Sequence, residues 1–283
     1  MRNRFISTVV AGMVYLGSLS CTDSSHVVKI KGSDTEVNLA VQLVEAFQLE
    51  NDQLMLSVSG GGSGLGIASL LNGNADVANS SRRINPEELA LFKEKNIELD
   101  SFVFAQDAIA FVVSDQLPID TLLVADLSKI LSGEVASWGF LIGGSLPVNI
   151  YGRQSNSGTY EFLKHTLDIR FSAHAKQMNG NAQILEAIRA DNSGIGYVGA
   201  GYVRGGNLKG LKVLKISTGT GRAVSPLDEA MIAEGNYFFQ RPLYQYFQKR
   251  AYRKIEPFIA FEQSTKGAAV IQSSGYYPPR HGE

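Results

Sequence analysis

The sequence predicts a two-domain α/β protein with mainly parallel sheets. Short apolar strands alternate with amphipathic helices along most of the chain, and repeats of this kind build parallel sheets. Two long apolar and aromatic runs, 101–114 and 237–247, interrupt the alternation and enclose a complete second set of strands and helices. A chain that leaves one domain, builds another and returns needs two such crossing strands. We therefore expect domain one at 26–107 plus 237–283 and domain two at 108–236, with one continuous sheet as the alternative.

The composition indicates a globular protein and argues against nucleic-acid binding. Of 283 residues, 44% are hydrophobic and 19% are charged, which excludes fibrous and disordered classes. The balance of 26 basic against 27 acidic residues leaves no basic region that would bind a phosphate backbone. At this length each of two domains can bury its own core.

The first residues are typical of a secretory signal peptide. Residues 1–20 carry Arg2 and Arg4, no acid, and then an apolar stretch that is too short to cross a membrane. We expect cleavage here and export of a soluble mature protein. No later segment has the length and apolarity of a spanning helix.

The only cysteine, Cys21, directly follows this apolar stretch, and 21–25 forms a polar tether. Its position resembles the bacterial lipobox, in which the cysteine becomes the lipid-modified first residue, although Ser18 stands where the lipobox usually has Leu. We expect a lipid anchor at Cys21. The alternative is an incidental cysteine in a signal peptide that is cut nearby.

The first elements of the mature chain are a strand at 27–30 and a helix over about 36–50. The helix is indicated by apolar residues at three-and-four spacing, namely Val37, Ala40, Val41, Val44 and Phe47. Its start is predicted as a capping box, in which Ser33 caps the helix and Glu36 reaches back.

The next elements are a strand at 54–58, a glycine-rich turn at 59–66, a short helix at 67–71 and a strand at 75–78. A further helix opens at Asn85, with Asn as the cap and Pro86 at the first helical position.

Enzyme and cofactor signatures do not appear in the sequence. The histidines, His26, His165, His174 and His281, form no metal-binding pair, and no serine lies in a G-x-S-x-G elbow. The segment 194–199 matches G-x-G-x-x-G, but no helix-forming run follows it, so we interpret it as a glycine-spaced strand. We expect no cofactor, no metal and no catalytic residues.

Small hydroxyl and glycine residues lie instead at the starts of helices. Helix N-termini offer unpaired amides and a positive dipole end, glycine allows close approach, and arginine binds two oxygens of a tetrahedral anion. Any one such segment is an ordinary helix cap, but four together predict a cage for a small oxyanion. The segments are 33–35, 59–64, 79–83 and 153–159.

Asp34 is the informative residue of this predicted cage. A carboxylate repels sulfate, which carries no proton at neutral pH, but accepts a hydrogen bond from protonated phosphate. If Asp34 faces the cage, the ligand is phosphate. The alternative is that Asp34 only favours the helix N-terminus from outside.

These residues resemble the phosphate-binding proteins of bacterial ABC importers, which are periplasmic substrate-binding proteins. The resemblance covers nearly the whole mature chain. Its most specific motifs are IKGSDT (30–35), SGGGSGLGI (59–67), ADVANSSRRI (75–84), ILSGEVASW (130–138), YGRQSNSGTYEF (151–162), GIGYVG (194–199) and RPLYQY (241–246).

The resemblance implies a two-domain periplasmic-binding-protein-like fold with two hinge strands and one phosphate in the cleft between the domains. It also implies a monomer that delivers phosphate to an ABC permease of the inner membrane, from the periplasm or from a lipid anchor on the cell envelope. The ligand contacts that it implies are Ser33, Asp34, Thr35, Ser63, Ser81, Arg82, Arg153, Ser157, Gly158 and Thr159.

The chain departs from the family at two positions. Some members have aspartate where Arg82 stands and a second acid where Ser155 stands, so the proton-accepting role falls on Asp34. Three alternatives stay open: another oxyanion such as sulfate or molybdate, a phosphate sensor that does not import, and a secreted phosphatase or esterase that uses Ser157 or Ser63.

Overall fold

The computed structural model describes residues 27–279. The predicted signal peptide (1–20), Cys21 and the tether (21–25) lie outside the described residues. Within 27–279, no helix is both long enough and apolar enough to cross a membrane.

The first part of the chain alternates strands and helices as the sequence predicts. Its elements are β1 (Val27–Gly32), α1 (Val37–Gln48), β2 (Met55–Ser59), α2 (Ser63–Leu71), β3 (Val77–Ser80) and α3 (Pro86–Glu94). The long strand β4 (Leu99–Ser114) follows and leads into the second part.

The second part holds smaller strands and helices. They are β5 (Thr121–Leu123), α4 (Val124–Ser132), α5 (Gly139–Ile142), β6 (Asn149–Arg153), α6 (Gly158–Leu167), β7 (Lys176–Met178), α7 (Asn181–Arg189), β8 (Gly194–Gly199), α8 (Gly201–Arg204), β9 (Leu211–Val213), β10 (Lys215–Ser217) and α9 (Glu229–Ala233). The chain returns through β11 (Gln240–Gln248) and a 3₁₀ turn (Lys249–Ala251) to α10 (Tyr252–Glu262) and α11 (Thr265–Ser273).

One hydrogen-bonded strand order connects the two parts. It runs β2-β1-β3-β11-β4-β8-β6-β7, with β9 also on β4, while β5 and β10 form a separate pair. β1 lies parallel to β2 and β3, and β6 lies parallel to β7 and β8. β11 is antiparallel to β3 and to 99–108 of β4, whereas 109–114 of β4 pair with β8 and β9. β4 therefore belongs to both sheet regions.

The buried apolar side chains form separate clusters on either side of this change of partners. One group joins β1, α1, α10 and α11, with Phe47, Phe104 and Phe258 at its centre. The largest cluster packs 109–113 of β4 against α4 and α6 around Trp138. Burial of these clusters at roughly 25 cal/mol per Å² is the main favourable contribution to folding.

The strand and helix positions confirm most of the sequence predictions, but the capping box at Ser33–Glu36 is wrong. α1 begins at Val37 with Glu36 as its cap residue, and no side chain caps it. The Ser33 hydroxyl instead accepts from the Thr35 amide at 3.3 Å and donates to the Ser81 hydroxyl at 3.1 Å. A contact with a distant residue has replaced the local cap. The helix predicted at 67–71 begins earlier, at Ser63.

Candidate functional site

Four chain segments meet where parallel strands end. Residues 33–35 follow β1, the glycine loop 60–62 follows β2, Ser81 and Arg82 follow β3, and 154–157 follow β6. Ligands of α/β proteins bind at the carboxyl ends of strands, because loops and helix N-termini converge there. The predicted cage segments therefore occupy the expected place in the fold.

A cluster of hydroxyl groups lies at this convergence. The Thr35 and Thr159 hydroxyl oxygens are 2.9 Å apart, and those of Ser63 and Ser81 are 3.5 Å apart. The Ser81 amide also donates to the Ser63 hydroxyl at 3.1 Å. All are buried, and Ser33 joins them through Ser81. We refer to Ser33, Thr35, Ser63, Ser81 and Thr159 as the hydroxyl cluster.

The N-terminus of α6 faces this cluster. Ser157 caps the helix by accepting from the Thr159 amide at 3.2 Å. Gly158 is the first helical residue, and a Cβ there would lie under 3.0 Å from the hydroxyl oxygens of both Ser63 and Ser81. Only glycine allows this close approach, so the positive end of the α6 dipole is brought against the hydroxyl cluster.

Arg153, the last residue of β6, supplies a buried cation. It is 3% exposed, and its Nη2 donates to the Asn179 carbonyl at 3.0 Å. Its Nε and Nη1 make no hydrogen bond, although Nη1 lies 3.3 Å from Asp34 Oδ2. Burial lowers the pKa of Arg153, against the opposing effect of Asp34, but an arginine remains charged. A buried guanidinium with unused donors is an anion-binding group.

Asp34 contacts two residues from the second part of the chain, Asn181 and Tyr202. Its Oδ2 accepts from the backbone amide of Asn181 at 2.9 Å and from the Asn181 side-chain amide at 2.7 Å. The Tyr202 hydroxyl donates to the Asp34 carbonyl at 2.8 Å. Asp34 is therefore held by the start of α7 and by Arg153.

Arg82 lies at the edge of the site. Its Nη1 and Nη2 donate to the two carboxylate oxygens of Glu88 at 2.7 and 2.6 Å. It lines a neighbouring cavity of about 740 Å³, together with Ser81, Phe162 and Tyr244. Both terminal nitrogens of Arg82 donate to Glu88, so no contact in the structure tests the predicted role of Arg82 in binding the anion. That role stays a prediction.

The glycine loop and the loop before α6 also touch each other directly. The Gly64 amide donates to the Asn156 carbonyl at 3.0 Å, and the Asn156 side-chain amide donates to the Gly61 carbonyl at 3.3 Å. These contacts join the two loops to each other.

Sequence reasoning missed Arg241 and Asp107. Arg241 of β11 and Asp107 of β4 are 1% and 0% exposed, and they form an ion pair at 2.9 Å. Arg241 also donates to the hydroxyls of Thr35 and Thr159. Burial raises the pKa of Asp107, and Arg241 opposes this effect. Each of the two long apolar runs contains a single charged residue. Because a charge in a buried strand needs a partner, the sequence could have predicted that Asp107 and Arg241 pair with each other.

Glu36 is a second buried acid beside the site. Its side chain is fully buried, and neither carboxyl oxygen has a hydrogen-bond partner. Burial raises the pKa of Glu36 well above its ordinary value, and Arg241 acts in the opposite direction. Burial thus favours the protonated form of this carboxyl, and Arg241 favours the charged form.

Comparison with known proteins identifies the family. The family described as PBP superfamily domain matches residues 20–266. The chain belongs to the PBP superfamily. Its relatives include the phosphate-binding protein PstS of Borreliella burgdorferi, which is 26% identical over 264 residues, covering 90% of this chain and 90% of PstS. The Staphylococcus aureus (strain USA300) PstS is 27% identical over 289 residues, covering 96% and 87%.

Several solved structures share the fold of this chain. A putative phosphate ABC transporter substrate-binding protein from Clostridium perfringens, with bound phosphate, has a TM-score of 0.80 at 19% identity and covers 90% of this chain and 100% of its own. An ABC-type phosphate transport receptor from Vibrio cholerae has a TM-score of 0.70 at 23% identity, covering 89% and 100%. The predicted two-domain periplasmic-binding-protein-like α/β fold is confirmed.

Proposed function

We propose that this protein is an extracytoplasmic substrate-binding protein that captures inorganic phosphate in its cleft and delivers it to an ABC importer. The observation that carries the proposal is the buried guanidinium of Arg153, whose Nε and Nη1 have no hydrogen-bond partner, at the end of a strand beside five buried hydroxyl residues. The relatives named as phosphate-binding proteins support phosphate as the anion.

The proposed ligand contacts are those predicted from the sequence. Arg153 supplies charge, Ser33, Thr35, Ser63 and Ser81 supply hydroxyl donors, and Ser157, Gly158 and Thr159 supply the N-terminus of α6. Arg82 remains in the proposed set with Glu88 as its present partner. A micromolar dissociation constant corresponds to about 8 kcal/mol, which a set of hydrogen bonds to a desolvated anion can supply.

We propose that binding closes domain one (26–107 plus 237–283) onto domain two (108–236). The change of partners of β4 near residue 108 and the separate core clusters support these boundaries. The ligand first binds one open domain, and closure then brings the other domain's hydroxyls and helix N-terminus onto the remaining oxygens. The permease reads the closed state, so ligand binding shifts an open–closed equilibrium.

Asp34 is the proposed selectivity residue, because a carboxylate accepts a hydrogen bond from protonated phosphate and repels sulfate. One observation favours a second candidate ligand, a different oxyanion such as sulfate or molybdate. Asn181 already donates two hydrogen bonds to Asp34 Oδ2, which leaves less of the carboxylate for a ligand proton.

The cellular setting follows from the same proposal. The protein acts as a monomer outside the cytoplasmic membrane, in the periplasm or attached to the envelope by a lipid on Cys21. It binds no nucleic acid and catalyses no reaction. A sensor role without import stays an alternative that co-purification with a permease would distinguish. Hydrolysis of a chromogenic phosphate ester by the pure protein would support the phosphatase alternative.

Calorimetric titration of the anion-stripped mature protein tests the ligand. We expect one-to-one binding of phosphate and no response to sulfate at neutral pH. Equal binding of both anions would contradict the role of Asp34, and binding of neither would contradict the proposed function.

Two substitutions test the site. Arg153→Ala should weaken phosphate binding by about 100-fold or more, since it removes charge-assisted bonds, whereas Ser63→Ala should cost about tenfold. Equal small losses in the two variants would contradict the proposed site.

A further inference from the structure

The ion pair between β4 and β11 lies directly under the hydroxyl cluster. Arg241 and Asp107 are opposite each other in the β11–β4 register. The Arg241 Nε and Nη2 donate to Asp107 Oδ2 at 3.1 and 2.9 Å, and both side chains are fully buried. Two strands need no buried charges in order to pair, because their backbone hydrogen bonds suffice. Strand pairing alone therefore does not explain this buried ion pair.

The remaining donors of Arg241 reach three separate elements of the site. Nη2 lies 3.3 Å from the Thr35 hydroxyl and 3.0 Å from the Thr159 hydroxyl, and Nη1 donates to the Ser81 carbonyl at 3.3 Å. Thr35 precedes α1, Ser81 follows β3, and Thr159 lies in the first turn of α6. One side chain thus connects segments from both proposed domains.

These contacts orient the hydroxyl groups. A hydroxyl has one hydrogen to donate and two positions at which it accepts. When Arg241 occupies an accepting position of Thr35 and of Thr159, their own hydrogens must point away from the guanidinium. They are then directed within the cluster or to an anion beside it.

Asp107 in turn fixes Arg241. Its Oδ2 accepts from two guanidinium nitrogens, and its Oδ1 accepts from the Ala200 amide at 3.2 Å. The Arg241 guanidinium carbon also lies 5.4 Å from the centre of the Phe162 ring. The guanidinium is therefore held by Asp107 of β4 and packs against Phe162 of α6.

We propose that Arg241 is a positioning residue of the phosphate site, which acts through the hydroxyls of Thr35 and Thr159 when the cleft is closed. This inference rests on the proposed function. It assigns Arg241 no direct contact with the anion, because its Nε, Nη1 and Nη2 are already engaged by Asp107, Ser81, Thr35 and Thr159.

A double-mutant cycle on phosphate affinity separates this role from a purely structural ion pair. Asp107→Asn with Arg241→Gln, called the pair variant, replaces both charges and leaves no unpaired buried charge. Thr159→Val removes one hydroxyl that Arg241 contacts and keeps the ion pair between Arg241 and Asp107. Calorimetry gives the phosphate dissociation constant of the wild type, each variant and the combination, and thermal unfolding without phosphate reports stability.

We expect about a tenfold loss of affinity in the pair variant and in Thr159→Val, and a combined loss well below 100-fold, because only the part that acts through Thr35 is still to be lost. A structural role would lower the unfolding temperature but leave the two losses multiplicative, near 100-fold together. Multiplicative losses, or wild-type affinity in the pair variant, would overturn the inference. Arg83→Gln is the matched control, because Arg83 is near the cleft but bonds to Tyr244 instead.

Arg241→Lys repeats the cycle if the pair variant does not fold. The lysine keeps a positive charge beside Asp107, but its three donors cannot serve Asp107, two hydroxyls and a carbonyl at once. Its loss of affinity should largely disappear in the Thr159→Val background, and a loss that persists there would overturn the inference. A wild-type protein that binds no phosphate would overturn the proposed function itself, whereas wild-type binding with multiplicative losses would overturn this inference alone.

Discussion

Gly158→Ala should abolish most of the phosphate affinity while leaving the fold intact. The added Cβ would lie under 3.0 Å from the hydroxyl oxygens of Ser63 and Ser81, both of which are buried. Gly158 is the first residue of α6, and alanine has a higher helix propensity than glycine, so the substitution does not weaken α6 itself. The clash exists where α6 meets the two serines, and in the proposed open state α6 would lie away from them.

The expected loss of phosphate affinity follows from the displacement of the Ser63 and Ser81 hydroxyls. Restoring normal contact requires them to shift by about 1 Å, which takes both out of hydrogen-bond range of an anion held by α6. Each hydrogen bond to a charged group contributes about 1.5–3 kcal/mol, so the loss is about 3–6 kcal/mol. This corresponds to phosphate binding that is weaker by about 100-fold to 10⁴-fold.

Calorimetric titration with phosphate, together with thermal unfolding of the anion-free protein, measures both parts of the prediction. Gly205→Ala is the matched control, because nothing lies within 4 Å of a Cβ added at Gly205. A Gly158→Ala protein that binds phosphate within about threefold of the wild type would refute the closed geometry at α6. A large drop in its unfolding temperature without phosphate would instead refute the claim that the open fold tolerates the methyl group.

Three further predictions concern stability. Burial raises the pKa of Glu262 well above its ordinary 4.5, so the folded state holds a proton that the unfolded chain releases, and the free energy of unfolding falls as the pH rises above 4.5. Glu262→Gln should reduce this fall by up to about 1.4 kcal/mol per pH unit, measured by urea unfolding between pH 5 and 8. Parallel curves for the variant and the wild type would contradict this prediction. Gly66→Ala would place a Cβ 2.5 Å from the Lys31 carbonyl oxygen, so we expect about 1–3 kcal/mol of destabilisation by denaturant unfolding, against none for Gly205→Ala. Asn85→Ala removes the cap that accepts from the Glu88 amide at 2.7 Å, which should lower the free energy of unfolding by about 1 kcal/mol; an unchanged value would show that the α3 cap contributes nothing.

Elements whose signals are local were predictable. The α3 helix begins at Pro86 with Asn85 and Glu88 forming a capping box, as the residues Asn-Pro-Glu-Glu indicate. The long apolar runs became β4 and β11, because continuous apolar sequence suits strands that are covered on both faces. Ser63 and Thr159 could be expected to lie near each other, because loops converge at the ends of parallel strands and because both residues belong to motifs of the family resemblance.

Local chemistry did not decide the partner of a side chain that could play two roles. Ser33 has the chemistry of a helix cap, but its hydroxyl bonds to Ser81 across 48 positions of sequence. Arg82 has the chemistry of an anion ligand, but Glu88 takes both its terminal nitrogens. Ser33 could cap a helix or bond to another hydroxyl, and Arg82 could bind an anion or pair with a carboxylate. The residues that the fold places nearby determine which contact forms.

The sequence by itself determined the alternation of elements, the two crossing strands and the kind of residue that collects at the strand ends, because these depend on periodicity and local hydrogen bonding. Only the tertiary structure decided that Arg241 pairs with Asp107 and bonds to Thr35 and Thr159, since those contacts depend on strand register and on the approach of α6. Residues separated by as many as 206 positions become neighbours there. No local pattern encodes such a distance, whereas the low dielectric of the core makes the pairing obligatory once the strands meet.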